Sequence, residues 1–283
     1  RTRACEGAPA AALKGVLRRK QRTLEAKLEA VGGLEGLQEL IMDTPPVSPP
    51  ERLANAIAYK SLQGRCGLMV ELASPTPHDG GAAVAAAAAA WEKAGADAIA
   101  VSIDEEITSL GDQDLEAAAR ATRLPVMVLD WIMHPMQLIS ALKAGACAAP
   151  LVAQVLKGGL GTIATFARPS GMDIVVECVN AQDVEAAEAA GAGVYGMNLS
   201  VALTLGGIPG AQRQIIKGLL GSLPFGAFSV VGVSSLDELR FAKYAGADCV
   251  LVRRALFEQG GELAGMTQAE VVDVLEPILT GDD

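Results

Sequence analysis

A glutamate inside an apolar run, Val175-Val176-Glu177-Cys178-Val179, is the residue whose type and setting point most directly to chemistry. A carboxylate is costly to bury unless it is paired or kept neutral, so Glu177 is expected to face the mouth of a site. There it would act as a general acid or base, form half of a structural ion pair, or stand at an exposed strand end. Other polar residues also close apolar runs: Glu71, followed by Ser74-Pro75-Thr76-Pro77-His78; Ser102 with Asp104, Glu105 and Glu106; Asp130-Trp131; and Asn198. Asn198 would orient a substrate or bond loop backbone. Gly232 and Ser234 precede a helical segment whose amides would cradle a phosphate. The alternative is an ordinary helix cap by Ser234 or Ser235, with Glu238 closing a capping box on Ser235. Arg253 and Arg254 end the last apolar run and offer bidentate donors to an anion.

These residues need elements to hold them, and a recurring phrase supplies the pattern. Lys93-Ala94-Gly95-Ala96, Lys143-Ala144-Gly145-Ala146, Ala189-Ala190-Gly191-Ala192 and Tyr244-Ala245-Gly246-Ala247 each join a helix-period segment to an apolar run. The glycine falls where a left-handed helix C-cap belongs, and the phrases recur about every 50 residues, two βα units each. Eight strands are predicted: Gly67–Leu72, Ala98–Ile103, Pro125–Asp130, Ala148–Val152, Asp173–Val179, Gly193–Leu199, Phe228–Val233 and Asp248–Val252. Predicted helices between them include 113–122, 135–144, 181–190, 211–220 and 236–245. Continuous apolar strands alternating with helices imply a parallel sheet, and eight units imply an α/β fold of the (β/α)8 TIM-barrel type. A doubly wound open sheet is the alternative, although no GxGxxG follows the first strand. Residues 1–65 read as an N-terminal helical extension with a proline-rich linker, and 66–283 as the barrel. In the extension, 10–31 is a charged helix, 45–50 a rigid linker and 51–62 a second helix. The charge run from Lys14 to Lys27 reads as a solvated helix face.

The 283 residues are 51% hydrophobic and 20% charged, which suits a sizeable core. A net charge of −10 disfavours nucleic acid. No apolar run is long enough to span a bilayer. Cys5, Cys66, Cys147, Cys178 and Cys249 lack metal-ligand spacing and read as reduced structural thiols, so no metal site is expected. The opening Arg1-Thr2-Arg3-Ala4-Cys5 is compatible with the remnant of a plastid or other organelle transit peptide; without one, a cytoplasmic location is expected.

In order and spacing, residues 66–258 resemble indole-3-glycerol-phosphate synthase, a family that needs no cofactor. The stretches are Ala94-Gly95-Ala96-Asp97-Ala98-Ile99-Ala100-Val101-Ser102, Leu124-Pro125-Val126 leading to Asp130-Trp131, His134-Pro135-Met136-Gln137, Lys143-Ala144-Gly145-Ala146, Val175 to Val179, and Gly196-Met197-Asn198-Leu199. The resemblance implies decarboxylating closure of an indole ring on a phosphorylated anilino sugar. It also implies a lysine general acid on the third strand, a lysine and a glutamate on the first, a glutamate on the fifth, an asparagine on the sixth and a Glu-Ser-Gly phosphate region on the seventh. Glu177, Asn198, Asp130 and Gly232 match. Ser74-Pro75 matches the Ser-Pro of the first strand, and Glu71 fits the glutamate with a two-residue gap. The departures fall on the chemistry. Leu129 stands where the family has its lysine acid, Glu71-Leu72-Ala73 has no lysine, Val230-Val231 replaces Glu-Ser, and Arg253-Arg254 replaces Gly-Ser. Loss of one general acid typically costs about 10² to 10⁴ in rate.

Two functions follow as expectations. One is a degenerate member retained as a binding or structural subunit of a larger assembly, with protein partners. The other is an active synthase or sugar-phosphate barrel enzyme that takes a phosphorylated small molecule.

Overall fold

The computed structural model describes residues 8–74, 79–103, 110–198 and 211–282. His78, Asp104, Glu105 and Glu106, singled out above, lie outside the described residues, as do the first seven. Eight parallel strands close on themselves in sequence order, which excludes the open doubly wound sheet. They are β1 (Gly67–Leu72), β2 (Ala98–Ser102), β3 (Val126–Leu129), β4 (Ala148–Val152), β5 (Asp173–Glu177), β6 (Val194–Asn198), β7 (Phe228–Val233) and β8 (Cys249–Val252). The helices are α1 (Ala8–Ala30), α2 (Gly33–Met42), α3 (Arg52–Ser61), α4 (Ala82–Ala94), α5 (Gly111–Ala121), α6 (Pro135–Lys143), α7 (Ala153–Leu156), α8 (Leu160–Ala167), α9 (Ala181–Ala189), α10 (Ala211–Leu220), α11 (Leu236–Tyr244) and α12 (Gln268–Thr280). Short 3₁₀ turns cover Lys157–Gly159 and Arg254–Leu256.

The four repeated glycines do the work their spacing predicts. Gly95, Gly145, Gly191 and Gly246 have φ of 108°, 93°, 78° and 95°, a region where a side chain would be strained. Each turns a helix end into the next strand. Five of the predicted strands overrun by one or two residues, and two of these have a visible cause. β5 stops at Glu177 because Asn180 starts α9, its side chain accepting from the Asp183 amide at 2.9 Å. β3 stops at Leu129, and His134 then caps α6: its Nδ1 accepts from Met136 N while the Gln137 carboxamide accepts from the Met133 and His134 amides. The His134-Pro135-Met136-Gln137 stretch is therefore a capping box. α8 and α12 complete the barrel ring and were absent from the predicted helices.

Alternation along the strands sends one set of side chains inward. Met69, Ala98, Ala100, Met127, Ala148, Val175, Val194, Val230, Cys249 and Leu251 fill the barrel, with Leu53 and Ile57 of α3 plugging its floor. The outward set packs under the helices. The proline-rich segment lies on the barrel: Val47 N donates to Ser170 O at 2.7 Å, and the Ser48–Pro49 bond is cis. Cys66, Cys147, Cys178 and Cys249 are buried free thiols, and burial pushes Cys66 up to about 12.

Asp173, at the floor end of β5, accepts from Leu53 N (2.8 Å) and Ala54 N (3.4 Å) and so caps α3 from across the barrel. Burial pushes its carboxyl up to about 6, against the pull of those two amides. Between about pH 4 and 6 the folded protein holds a proton that the unfolded chain has released, so stability falls as pH rises through that window. Asp173→Asn keeps an acceptor oxygen and removes the titration. The variant is expected to match the parent near pH 4 and to exceed it by about 2 kcal/mol at pH 7. Urea midpoints at the two pH values check this, and a pH-independent difference would contradict it.

Candidate functional site

The carboxyl ends of the strands form the mouth, where barrels of this kind carry their chemistry. Glu71 lies two residues beyond inward-facing Met69, and Glu177 two beyond inward-facing Val175, so both point into it. The register sets Ser102 beside Leu129, Val152 beside Glu177 and Asn198 beside Gly232. Arg253 reaches in from the end of β8, with Nη1 3.5 Å from Glu71 Oε2. Burial raises the Glu177 carboxyl above its ordinary value, and the Arg253 charge pulls the other way. Two glycines make room. A Cβ at Gly196 would stand 3.0 Å from Glu177 Cγ. A Cβ at Gly232 would meet Asn198 Oδ1 at 3.1 Å and Arg253 Nε at 3.5 Å. Glu71, Glu177, Asn198, Gly232 and Arg253 therefore share one site. Arg253 is the cation between carboxylates contributed by strands on opposite sides of the barrel. Its Nε is buried without a hydrogen-bond partner among the described residues.

Arg254 is not brought in. It pairs with Glu258 one helical turn away, at 3.2 Å, so the two arginines diverge. Ser234 and Ser235 sit at the start of α11. Glu238 N donates to Ser235 Oγ at 3.1 Å, as a cap requires. The Glu238 carboxylate, however, accepts from Ser234 N (2.6 Å) rather than from Ser235 N. The amide of Leu236, the first residue of α11, donates to Glu262 at 3.3 and 3.4 Å. Carboxylates of this chain thus accept from two of the amides that could otherwise cradle a phosphate.

Two participants escaped the sequence. Glu262 comes from the segment after β8 and carries no local signal. Lys20 was read as part of a solvated face, yet its side chain is buried, and Nζ lies 2.6 Å from Asp130 Oδ1 just beyond β3. The reading fails there because α1 packs Lys20 against the barrel rim, where only a carboxylate makes burial of an ammonium tolerable. Farther along α1, Lys27 meets Asp112 at 3.4 Å with both groups exposed, nearer the solvated face expected. The described residues contain no cluster of three or more potential metal ligands.

Comparison with known proteins places this geometry. The family model for indole-3-glycerol phosphate synthase matches residues 13–267. The indole-3-glycerol phosphate synthase of Bordetella pertussis is 31% identical over 236 residues, covering 80% of this chain and 88% of its own. That of Rhodococcus jostii is 29% identical over 255 residues, covering 84% and 90%. Among solved structures, a thiamine phosphate pyrophosphorylase from Pyrococcus furiosus aligns with a TM-score of 0.54 at 17% identity, covering 77% of this chain and 99% of that one. The tryptophan synthase alpha subunit of Legionella pneumophila aligns at 0.55 and 15%, covering 82% and 94%. At such identities the structural matches speak for the barrel alone. The sequence match runs from α1 to the cap of α12, and the chain belongs to the indole-3-glycerol phosphate synthase family.

Proposed function

We propose that this chain is a catalytically degenerate family member, retained as a binding or structural subunit of a larger assembly. The observation that carries the reading is that its own side chains take up the positions the chemistry would need. Leu129 offers no proton where the family's lysine acid belongs, and Arg253 lies among the carboxylates of the mouth. The Ser234 and Leu236 amides, in the region where a phosphate would dock, already donate to Glu238 and Glu262. A ligand phosphate would have to displace charge-assisted hydrogen bonds, each worth about 1.5–3 kcal/mol.

One observation favours a second reading, an active synthase or sugar-phosphate enzyme with rearranged acids. Arg253 Nε, without a hydrogen-bond partner among the described residues, lies at the mouth near Glu177, whose burial favours the protonated form. An anion on Arg253 and a proton from Glu177 would rebuild part of a site.

Calorimetric titration separates the two. Neither inorganic phosphate nor the phosphorylated anilino-deoxyribulose substrate of the family is expected to bind the parent protein. Saturable one-to-one binding that Arg253→Met abolishes would favour the rearranged site.

A further inference from the structure

The N-terminal extension separates its charges along the chain. From Ala8 to Leu24 there are five bases, beginning with Lys14 and ending with Arg22, and no acid. From Glu25 to Asp43 there are five acids and one base, Lys27. Lys20 and Lys27 meet Asp130 and Asp112 of the barrel. The outer face of α1 keeps the separation on view.

Arg18, Arg22, Glu25 and Glu29 stand at i, i+4, i+7 and i+11 of α1. At 3.6 residues per turn that spacing gathers them into one stripe within an arc of about 60°. All four are exposed, on the side away from half-buried Leu17, Leu24 and Leu28. Among the described residues none of the four takes part in an ion pair, and Glu25 accepts from the Gln21 carboxamide at 3.0 Å.

This order of signs does not suit a helix standing alone. Arg18 with Arg22 and Glu25 with Glu29 are like-charge i,i+4 pairs, which destabilise a helix. Glu29 falls in the last turn, where the helix dipole favours a cation. A face suited to solvent alone sets opposite signs four apart, as Glu116 and Arg120 do on α5, in contact at 2.5 Å.

We infer that the outer face of α1 is an interface between two copies of this chain, paired antiparallel about a two-fold axis midway between residues 23 and 24. Reversal of a stripe of two cations and two anions lays opposite charges on each other. Arg18 then faces the partner's Glu29 and Arg22 faces the partner's Glu25, both in one register, and symmetry repeats each pair. A parallel pair in register would instead set the arginines against their own copies. Exposed Lys14 extends the basic half, exposed Glu35 and Glu39 of α2 extend the acidic half, and Leu34, three-quarters exposed at the start of α2, adds apolar surface. Charge decides the occupant. An acidic segment or an anionic membrane would match Lys14, Arg18 and Arg22 but meet like charge at Glu25 and Glu29, whereas a second copy matches both halves. At physiological salt a Debye length of about 8 Å screens the remaining charge of the two chains and spares pairs in contact. The inference goes beyond the assembly reading and does not depend on it, since it holds for an active or a degenerate mouth.

Sedimentation velocity of the full chain at physiological salt is expected to show a monomer–dimer equilibrium. Arg18→Glu/Arg22→Glu leaves four acids in the stripe and Glu25→Arg/Glu29→Arg leaves four bases, so each double variant is expected to dimerise about tenfold more weakly or worse. Mixed one to one, the two are expected to recover a heterodimer, which damage to the helix would not produce. The variant carrying all four substitutions is expected to dimerise with itself but not with the parent, because antiparallel pairing with the parent sets like charges together. The four residues are exposed, so unchanged melting of the dilute variants shows that they fold. A parent that stays monomeric to about 100 μM, growth beyond a dimer, equal dimerisation by the double variants, or no recovery on mixing would each overturn the proposal. So would a parent that stays monomeric while binding phosphatidylserine vesicles, which would assign the basic half to a membrane.

Discussion

Lys20→Ala is expected to destabilise the protein by about 3–5 kcal/mol, the cost of removing one partner from a buried ion pair. The 2.6 Å contact with Asp130 is shielded on both sides, and Asp130 also accepts from Gln137 Nε2 at 3.5 Å, so deletion of the ammonium takes its close cationic partner from a buried carboxylate on the packed side of α1. Lys20→Met combined with Asp130→Asn should recover much of that loss, because no charge then remains to be solvated. α1 should also become protease-sensitive in the single variant before the barrel unfolds, since Lys20 is its buried polar anchor on the rim. Urea unfolding of the single and double variants measures the coupling. A loss below about 1 kcal/mol would show the pair to behave as an exposed one.

Arg253→Met should be costly in a pH-dependent way. Among the described residues Arg253 is the positive charge that acts on both Glu71 and Glu177, so its removal leaves two carboxylates in a shared buried space. The expected loss near pH 8 is about 3 kcal/mol. Burial already raises the Glu177 carboxyl, and loss of the arginine raises it further. As pH falls, the folded variant takes up a proton there and the repulsion disappears, so its deficit should shrink toward pH 5. Glu177→Gln in the same background should remove the pH dependence. A deficit equal at both pH values would mean that Glu177 does not share the field of Arg253.

The barrel was legible because its signals are local. A glycine after Lys93-Ala94 or Tyr244-Ala245 turns a helix end through a positive φ whatever lies elsewhere, and an apolar strand follows within a few residues. Where local cues conflict, boundaries moved. Cys178 and Val179 read as strand, but Asn180 caps the next helix and ends β5 earlier. The short apolar segment Leu160–Ala167, preceded by Gly158 and Gly159 and carrying Gly161 in its first turn, has no clear helical period and is not among the predicted helices.

The site was legible only in part. Glu177, Asn198 and Gly232 stand out because polar or small residues close apolar runs at the strand ends. Their partners do not, because pairing across a barrel joins residues far apart in sequence: Lys20 with Asp130, Arg253 with Glu71, Glu262 with the start of α11. The divergence of Arg253 and Arg254 follows from strand alternation, which turns the first inward and leaves the second to Glu258.

The central claim is that the mouth has lost its chemistry. Single-turnover conversion of the phosphorylated anilino-deoxyribulose substrate, with enzyme in excess and indole fluorescence as the readout, tests it most directly. The account predicts no product above that of a Glu177→Gln control, because the position of the family's lysine acid is Leu129 and the loss of one such group costs about 10² to 10⁴ in rate. Stoichiometric product formation that Glu177→Gln abolishes, with its melting temperature unchanged, would contradict the account and make Glu177 a catalytic residue.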